Sequence, residues 1–188
     1  DNLTASGPTT ASFTLDLPLH HNAPAPKIAG RVALAGVSLG EKRWKLAFDE
    51  VRGEAAYDHE GFTADGLQVV HQEQPGRLAL RAGEGHVRDR GNAFEAEVAA
   101  TLGAHELLEH APEMAWLKPH VRGRSPWTVA LSIAASTPPA ANARATTSNA
   151  EPPTRLRLHS SLVGTRLALP EPLDKPASAA LPTTVETT

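Results

Sequence analysis

Apolar and polar side chains alternate with a period of two along most of the chain, the pattern of strands that turn one face to a core and the other to water. Trp44, Leu46 and Phe48 alternate with Lys45, Ala47 and Asp49. Phe94, Ala96 and Val98 alternate with Glu95 and Glu97, and Leu156 and Leu158 with Arg155, Arg157 and His159. Further alternating runs cover Phe13–Leu17, Ile28–Leu39, Arg52–Asp58, Phe62–His71, Arg77–Ala82, His86–Arg88, Trp127–Ala135 and Arg166–Leu169. The clusters "DHEG", "EQPG", "RDRGN" and "LPEPLDKP" punctuate them as turns. The pattern predicts about ten strands, mostly an antiparallel meander. One more is expected to begin at Thr183, without its next partner. "KIAGRVAL", "EVRGEAAY" and "LVGTRLAL" each hold a glycine inside an alternating run, where a bulge or bend is expected.

One segment departs from this period. In "TLGAHELLEHAPEMAWLK" the residues Leu107, Leu108, Ala111, Met114, Ala115 and Trp116 recur at spacings near three and four, which predicts one short helix near 104–117. Pro112 lacks a backbone donor and divides it into a helix Ala104–His110 and a second turn starting near Pro112. The helix is expected against the end or edge of the sheet. Residues Ser136–Pro153, "STPPAANARATTSNAEPP", have no apolar periodicity and are expected to form a flexible low-complexity loop.

Composition narrows the class. The 188 residues suit a single domain, and 40% hydrophobic with 21% charged residues suits a folded chain. Its 14 glycines and 16 prolines favour turns over long helices. The net charge is −3 and the basic residues are scattered, so a nucleic-acid partner, which needs a clustered positive field, is not expected. The lack of cysteine excludes disulfides, thiolate metal sites and a cysteine nucleophile. The longest weakly polar run, Trp127–Ala135, falls far short of the roughly 20 residues of a membrane-spanning helix. The chain opens at Asp1 with neither start methionine nor apolar leader, and reads as a piece whose targeting segment would lie outside it.

The candidate chemistry fails on geometry. His105 and His110 are five residues apart, about 140° from each other around a helix, whereas a zinc-binding helix needs histidines four apart with a glutamate beside the first. Gly123–Arg124–Ser125–Pro126–Trp127 invites comparison with a nucleophile elbow. Trp127 replaces its second glycine, and Pro126 removes the N–H that would serve the oxyanion. The remaining histidines, His20, His21, His59, His71, His86, His120 and His159, stand in turn-like or polar-face positions and read as surface residues. No catalytic residue, metal ligand or cofactor is predicted.

About ten half-apolar strands with one helix to cover them leave three solutions: a second facing sheet, a closed barrel, or a concave apolar gutter. Alternation does not choose among them. The order "WLKPHVRGRSPW", an alternating strand, a loop, then "LRLHSSLVGTRLALPEPLDKPA" resembles the YhdP-like branch of the AsmA-like proteins of Gram-negative bacteria. The resemblance lies in the Gly-x-Ser-Pro-Trp turn at Gly123–Trp127, the strand-Gly-strand passage ending at Leu169–Pro176, and the generic unit "VRGEAAYDHEGFTADGLQV". It covers residues 50–180 or so, and the Ser136–Pro153 insert departs from it.

The resemblance implies a mainly β fold: an elongated, strongly curved antiparallel sheet, a β-taco or groove, and a single segment of a longer repeating protein. It further implies a periplasmic portion of a protein anchored at the inner membrane by a helix outside this chain. Its cargo would be phospholipid on the way to the outer membrane, with other envelope proteins as possible partners. By alternation the lining would be Trp44, Leu46, Phe48, Tyr57, Phe62, Leu67, Val69, Leu78, Leu80, Phe94, Val98, Trp127, Val129, Leu131, Ile133, Leu156, Leu158, Leu162, Leu167 and Leu169. The alternative is a β-sandwich that binds protein or glycan.

Overall fold

A computed structural model describes residues 3–18, 25–41, 46–109, 111–135 and 153–187. Eleven strands occur among them: β1 (Leu3–Ser6), β2 (Thr9–Asp16), β3 (Lys27–Glu41), β4 (Leu46–Asp58), β5 (Phe62–His71), β6 (Gln74–Ala82), β7 (Asn92–Gly103), β8 (Val121–Ala134), β9 (Thr154–Ser160), β10 (Thr165–Leu167) and β11 (Thr183–Thr187). All join one open antiparallel sheet in the order β1-β3-β4-β5-β6-β7-β8-β9-β11, with β2 on β3 and β10 on β8. The fold is a curved antiparallel sheet, mainly β, as the sequence led us to expect. No second sheet faces it among the described residues.

Two lines of strand are interrupted. β1 and β2 lie end to end along β3, parted by Gly7 and Pro8, and the Ala35 N–H donates to the Pro8 carbonyl at 3.2 Å. Proline has no donor to give, so a sheet edge is where it fits. β9 and β10 lie end to end along β8, parted by the connection Ser161–Gly164.

Bulges keep the apolar face in phase. In β5, Ala64 pairs with Leu80 and Leu67 with Leu78, so two residues three apart face the same way because the register shifts between them. Gly66, at φ 69°, absorbs the extra residue. Shifts between Ala35, Val37 and Leu39 on β3, opposite Arg52, Val51 and Phe48 on β4, likewise fall beside Gly36 at φ 91° and Glu50 at φ 54°. Paired without a bulge, the same sequence would send its apolar residues on either side of the extra residue to opposite faces.

After β7 the chain forms helix α1 (Ala104–Glu109) and a 3-10 segment (Pro112–His120). The expected break at Pro112 is observed, and in an α-helix the Pro119 ring would clash with the Ala115 carbonyl. His110, Trp44 and residues 136–152 of the expected loop lie outside the described residues. The His86–Arg88 run is a turn rather than a strand. Gly83 and Gly85 take positive φ, and the Glu95 carboxylate accepts the N–H groups of Arg88 and Asp89 at 2.9 and 3.0 Å. Those local bonds displace a ladder.

The main core cluster is Val37, Val51, Ala64, Leu67, Val69 and Leu78, with Leu34, Leu39, Phe48, Ala55, Leu80 and Val98 against it. Its members come from β3 to β7 alone, so the sheet's own curvature closes over them. A smaller cluster of Ala104, Leu108 and Val121, flanked by Leu117 and Leu167, seats α1 at one end of the sheet.

Candidate functional site: the apolar face of the sheet

Residues directly opposite in an antiparallel ladder point to the same face. One row therefore runs Phe13, Gly30, Tyr57, Phe62, Ala82, Phe94, Ile133, Thr154 across eight strands. The row two residues along runs Ala64, Leu80, Ala96, Leu131, Leu156. The next runs Leu67, Leu78, Val98, Val129, Leu158, Val185, and beyond it lie Val69, Gly76, Ala100, Trp127, Ser160. Phe48 and Val51 of β4 sit on the same face, since Phe48 touches the His71 ring and Val51 joins the core cluster.

The opposite face is polar. Thr63, Arg81, Glu95, Ser132 and Arg155 form one row, and Arg77, Ala99, Thr128, His159 and Thr184 another. Arg81 pairs there with Asp65, Arg88 with Glu97 and Arg157 with Glu186. A shallow hollow of about 600 Å³ lies over Ala99 and Thr128, between Arg77 and His159.

Exposure grades along the apolar face. Leu67 is 1% exposed and Leu78 3%, whereas Phe13 at the β2 edge is 67% exposed and Val185 at the β11 edge 46%. Between them Leu80, Phe94, Val98, Val129, Leu131, Ile133, Leu156 and Leu158 are half-buried. Leu46 opens β4. Leu162 lies off the strands, in the β9–β10 connection at φ 54°. Leu167 pairs with Val121 beneath α1, and Leu169 is half-buried just beyond β10.

His71 departs from its expected surface position. It is buried at the end of β5, where Nε2 stands 2.5 Å from Oε1 of Glu106 and Nδ1 2.8 Å from the Ala47 carbonyl oxygen. Burial works against the imidazolium, but the Glu106 hydrogen bond, the Ala47 carbonyl and the Glu106 charge outweigh it, with Arg124 opposing. The net effect raises its pKa above 6.5. Glu106 is the third residue of α1 and also accepts the Gly103 N–H at 3.3 Å, as in half of a capping box. Nothing in the sequence pairs His71 with Glu106, because they are 35 residues apart.

The two motifs that carried the resemblance meet in space. Gly123 and Gly164 face each other so closely that a Cβ on either would lie 2.2 Å from a backbone oxygen across the ladder. The Thr165 hydroxyl donates to the buried Ser125 hydroxyl at 3.0 Å, and the Ser160 hydroxyl donates to the Pro126 carbonyl at 2.6 Å. The buried Lys175 ammonium donates to the carbonyls of Thr165, Leu162 and Pro176 at 2.7, 2.8 and 3.2 Å, and burial lowers its pKa. Ser125 is thus a buried structural hydroxyl with its partner already in place. Among the described residues no three His, Asp or Glu side chains gather as metal ligands, and no helix is long and apolar enough to cross a membrane.

Comparison with curated proteins and with solved structures returned no match. A family model described as YhdP protein matches residues 1–188. With the two meeting motifs and the single curved sheet, this match over the whole length establishes that the chain belongs to the YhdP family.

Proposed function

We propose that this chain is a segment of a periplasm-spanning envelope protein that shelters phospholipid acyl chains along the apolar face of its sheet and conducts them between inner and outer membrane. The observation that supports this reading is the pair of uninterrupted apolar rows crossing from β5 to β9, Ala64 to Leu156 and Leu67 to Leu158, with a polar and charged face behind them. Family membership supports an envelope role related to lipid transport. The proposed lining comprises those of the twenty side chains that lie on the strand rows of this face, with Leu67, Leu78, Val98, Val129 and Leu158 as its central row.

The physical requirement is simple. Exposing an acyl methylene to water costs about 0.8 kcal/mol, so two chains with some thirty methylenes cost on the order of 20 kcal/mol. A continuous apolar surface removes that cost without catalytic group, metal or cofactor. The protein is read accordingly as a carrier and not an enzyme, anchored at the inner membrane by a segment beyond this chain.

Native mass spectrometry of protein extracted from cells tests the reading: co-purifying phospholipid is expected. Val98→Asp and Leu131→Asp place a charge in two adjacent rows and are expected to abolish lipid capture while the protein stays folded. Folded variants that still capture lipid as the parent does would overturn the assignment, and clean apo protein with a compact scattering profile would favour an interaction module.

A further inference from the structure

α1 begins where β7 ends and is held from two sides. Ala104 and Leu108 are buried against Val121 of β8, with Leu117 and Leu167 around them. On the other side Glu106 reaches past β6 to His71 on β5, and His71 in turn reaches the Ala47 carbonyl on β4. The His71 ring also lies 5.9 Å from that of Phe48. Apolar packing therefore seats the helix at β8, while the His71–Glu106 ion pair holds it across the end of the apolar face at β5.

Both partners of His71 are acceptors. A carbonyl oxygen and a carboxylate are satisfied together only by an imidazolium, which donates from both nitrogens. A neutral ring has one N–H and turns a lone pair toward the other oxygen. Among the described residues the charged groups that bear on the ring are Glu106 from α1 and Arg124 from β8, while β4 offers the uncharged Ala47 carbonyl and the Phe48 ring.

We propose that α1 is a clasp across one end of the apolar face, fastened by the His71–Glu106 pair and released when His71 loses its proton. Because the folded protein holds that proton more tightly than an ordinary histidine, the clasp is fastened in mildly acidic solution and loosens as pH rises through the raised value. That release admits lipid rests on the function proposed above; the clasp itself does not.

The chain contains no cysteine, so Ala104→Cys places a single thiol on the buried side of α1. Its rate of labelling by a small disulfide reagent is measured from about pH 5.5 to about pH 8.5 and divided by that of a free cysteine peptide at each pH. Protection is expected to fall about tenfold across the His71 titration, and to be low and flat in Glu106→Gln and His71→Gln backgrounds. Protection that ignores pH, or survives Glu106→Gln in a protein of unchanged circular dichroism, overturns the clasp. The second readout is uptake of acyl-labelled fluorescent lipid from phosphatidylethanolamine–phosphatidylglycerol vesicles at the same pH values. Faster uptake with the clasp loose supports gating, and equal uptake with a responding clasp rejects gating. A responding clasp with no uptake at any pH supports the clasp and overturns the lipid-sheltering reading instead.

Discussion

Gly123 and Gly164 show how single residues hold the β8–β10 junction together. Each adopts positive φ and each leaves no room for a methyl group, so Gly164→Ala meets both strain and a clash with the Arg124 carbonyl. It is expected to destabilise the protein by about 2–4 kcal/mol in urea titrations, against about 1–2 kcal/mol for Ser125→Ala, which leaves Thr165 without its buried partner. The same scale holds the pH response. His71 titrates above 6.5, so the stability drawn from its pairing with Glu106 is fully present below the unfolded value and is lost as pH rises through the folded one. Proton-detected titration of the His71 ring should show the raised value, and Glu106→Gln should lower it. These side chains were visible in the sequence as motifs, yet their roles were not. Ser125 stands 40 positions from Thr165, and a lone histidine in an alternating run carries no sign of an acid across the sheet.

Among the elements, β5 is the most instructive. Phe62 and Ala64 share a face with Leu67 and Val69 only because the register shifts at Asp65–Gly66. Deleting Gly66 removes the extra residue, and strict alternation then keeps Phe62, Ala64, Leu67 and Val69 on one face, opposite Ala82, Leu80, Leu78 and Gly76. The expected outcome is a protein that still unfolds cooperatively, destabilised by about 1–2 kcal/mol in urea titrations through loss of the local bend. Gly66→Ala is the control: a Cβ there meets open space, so only the backbone strain is felt, about 1 kcal/mol. Alternation revealed most strands and proline the helix break, since both are local effects. It missed β1 and misread His86–Arg88, because edge pairing and the reach of the Glu95 carboxylate depend on neighbours that only the fold supplies.

At the scale of the molecule, the accessible surface is 13028 Å², while a compact protein of 19.9 kDa exposes about 8,700 Å². A one-layer sheet contributes to the excess, and small-angle scattering should return a radius of gyration well above the compact value of about 16 Å. The choice among sandwich, barrel and gutter was beyond alternation, which records which side chains share a face and not what that face meets. The sheet does not close, and this has a mechanical corollary. A cylinder of strands has a bore dictated by strand number and stagger. With its two rims unjoined, this one can splay or pinch by small hinge movements that sacrifice no ladder bond, so the backbone leaves the girth of an occupant unspecified.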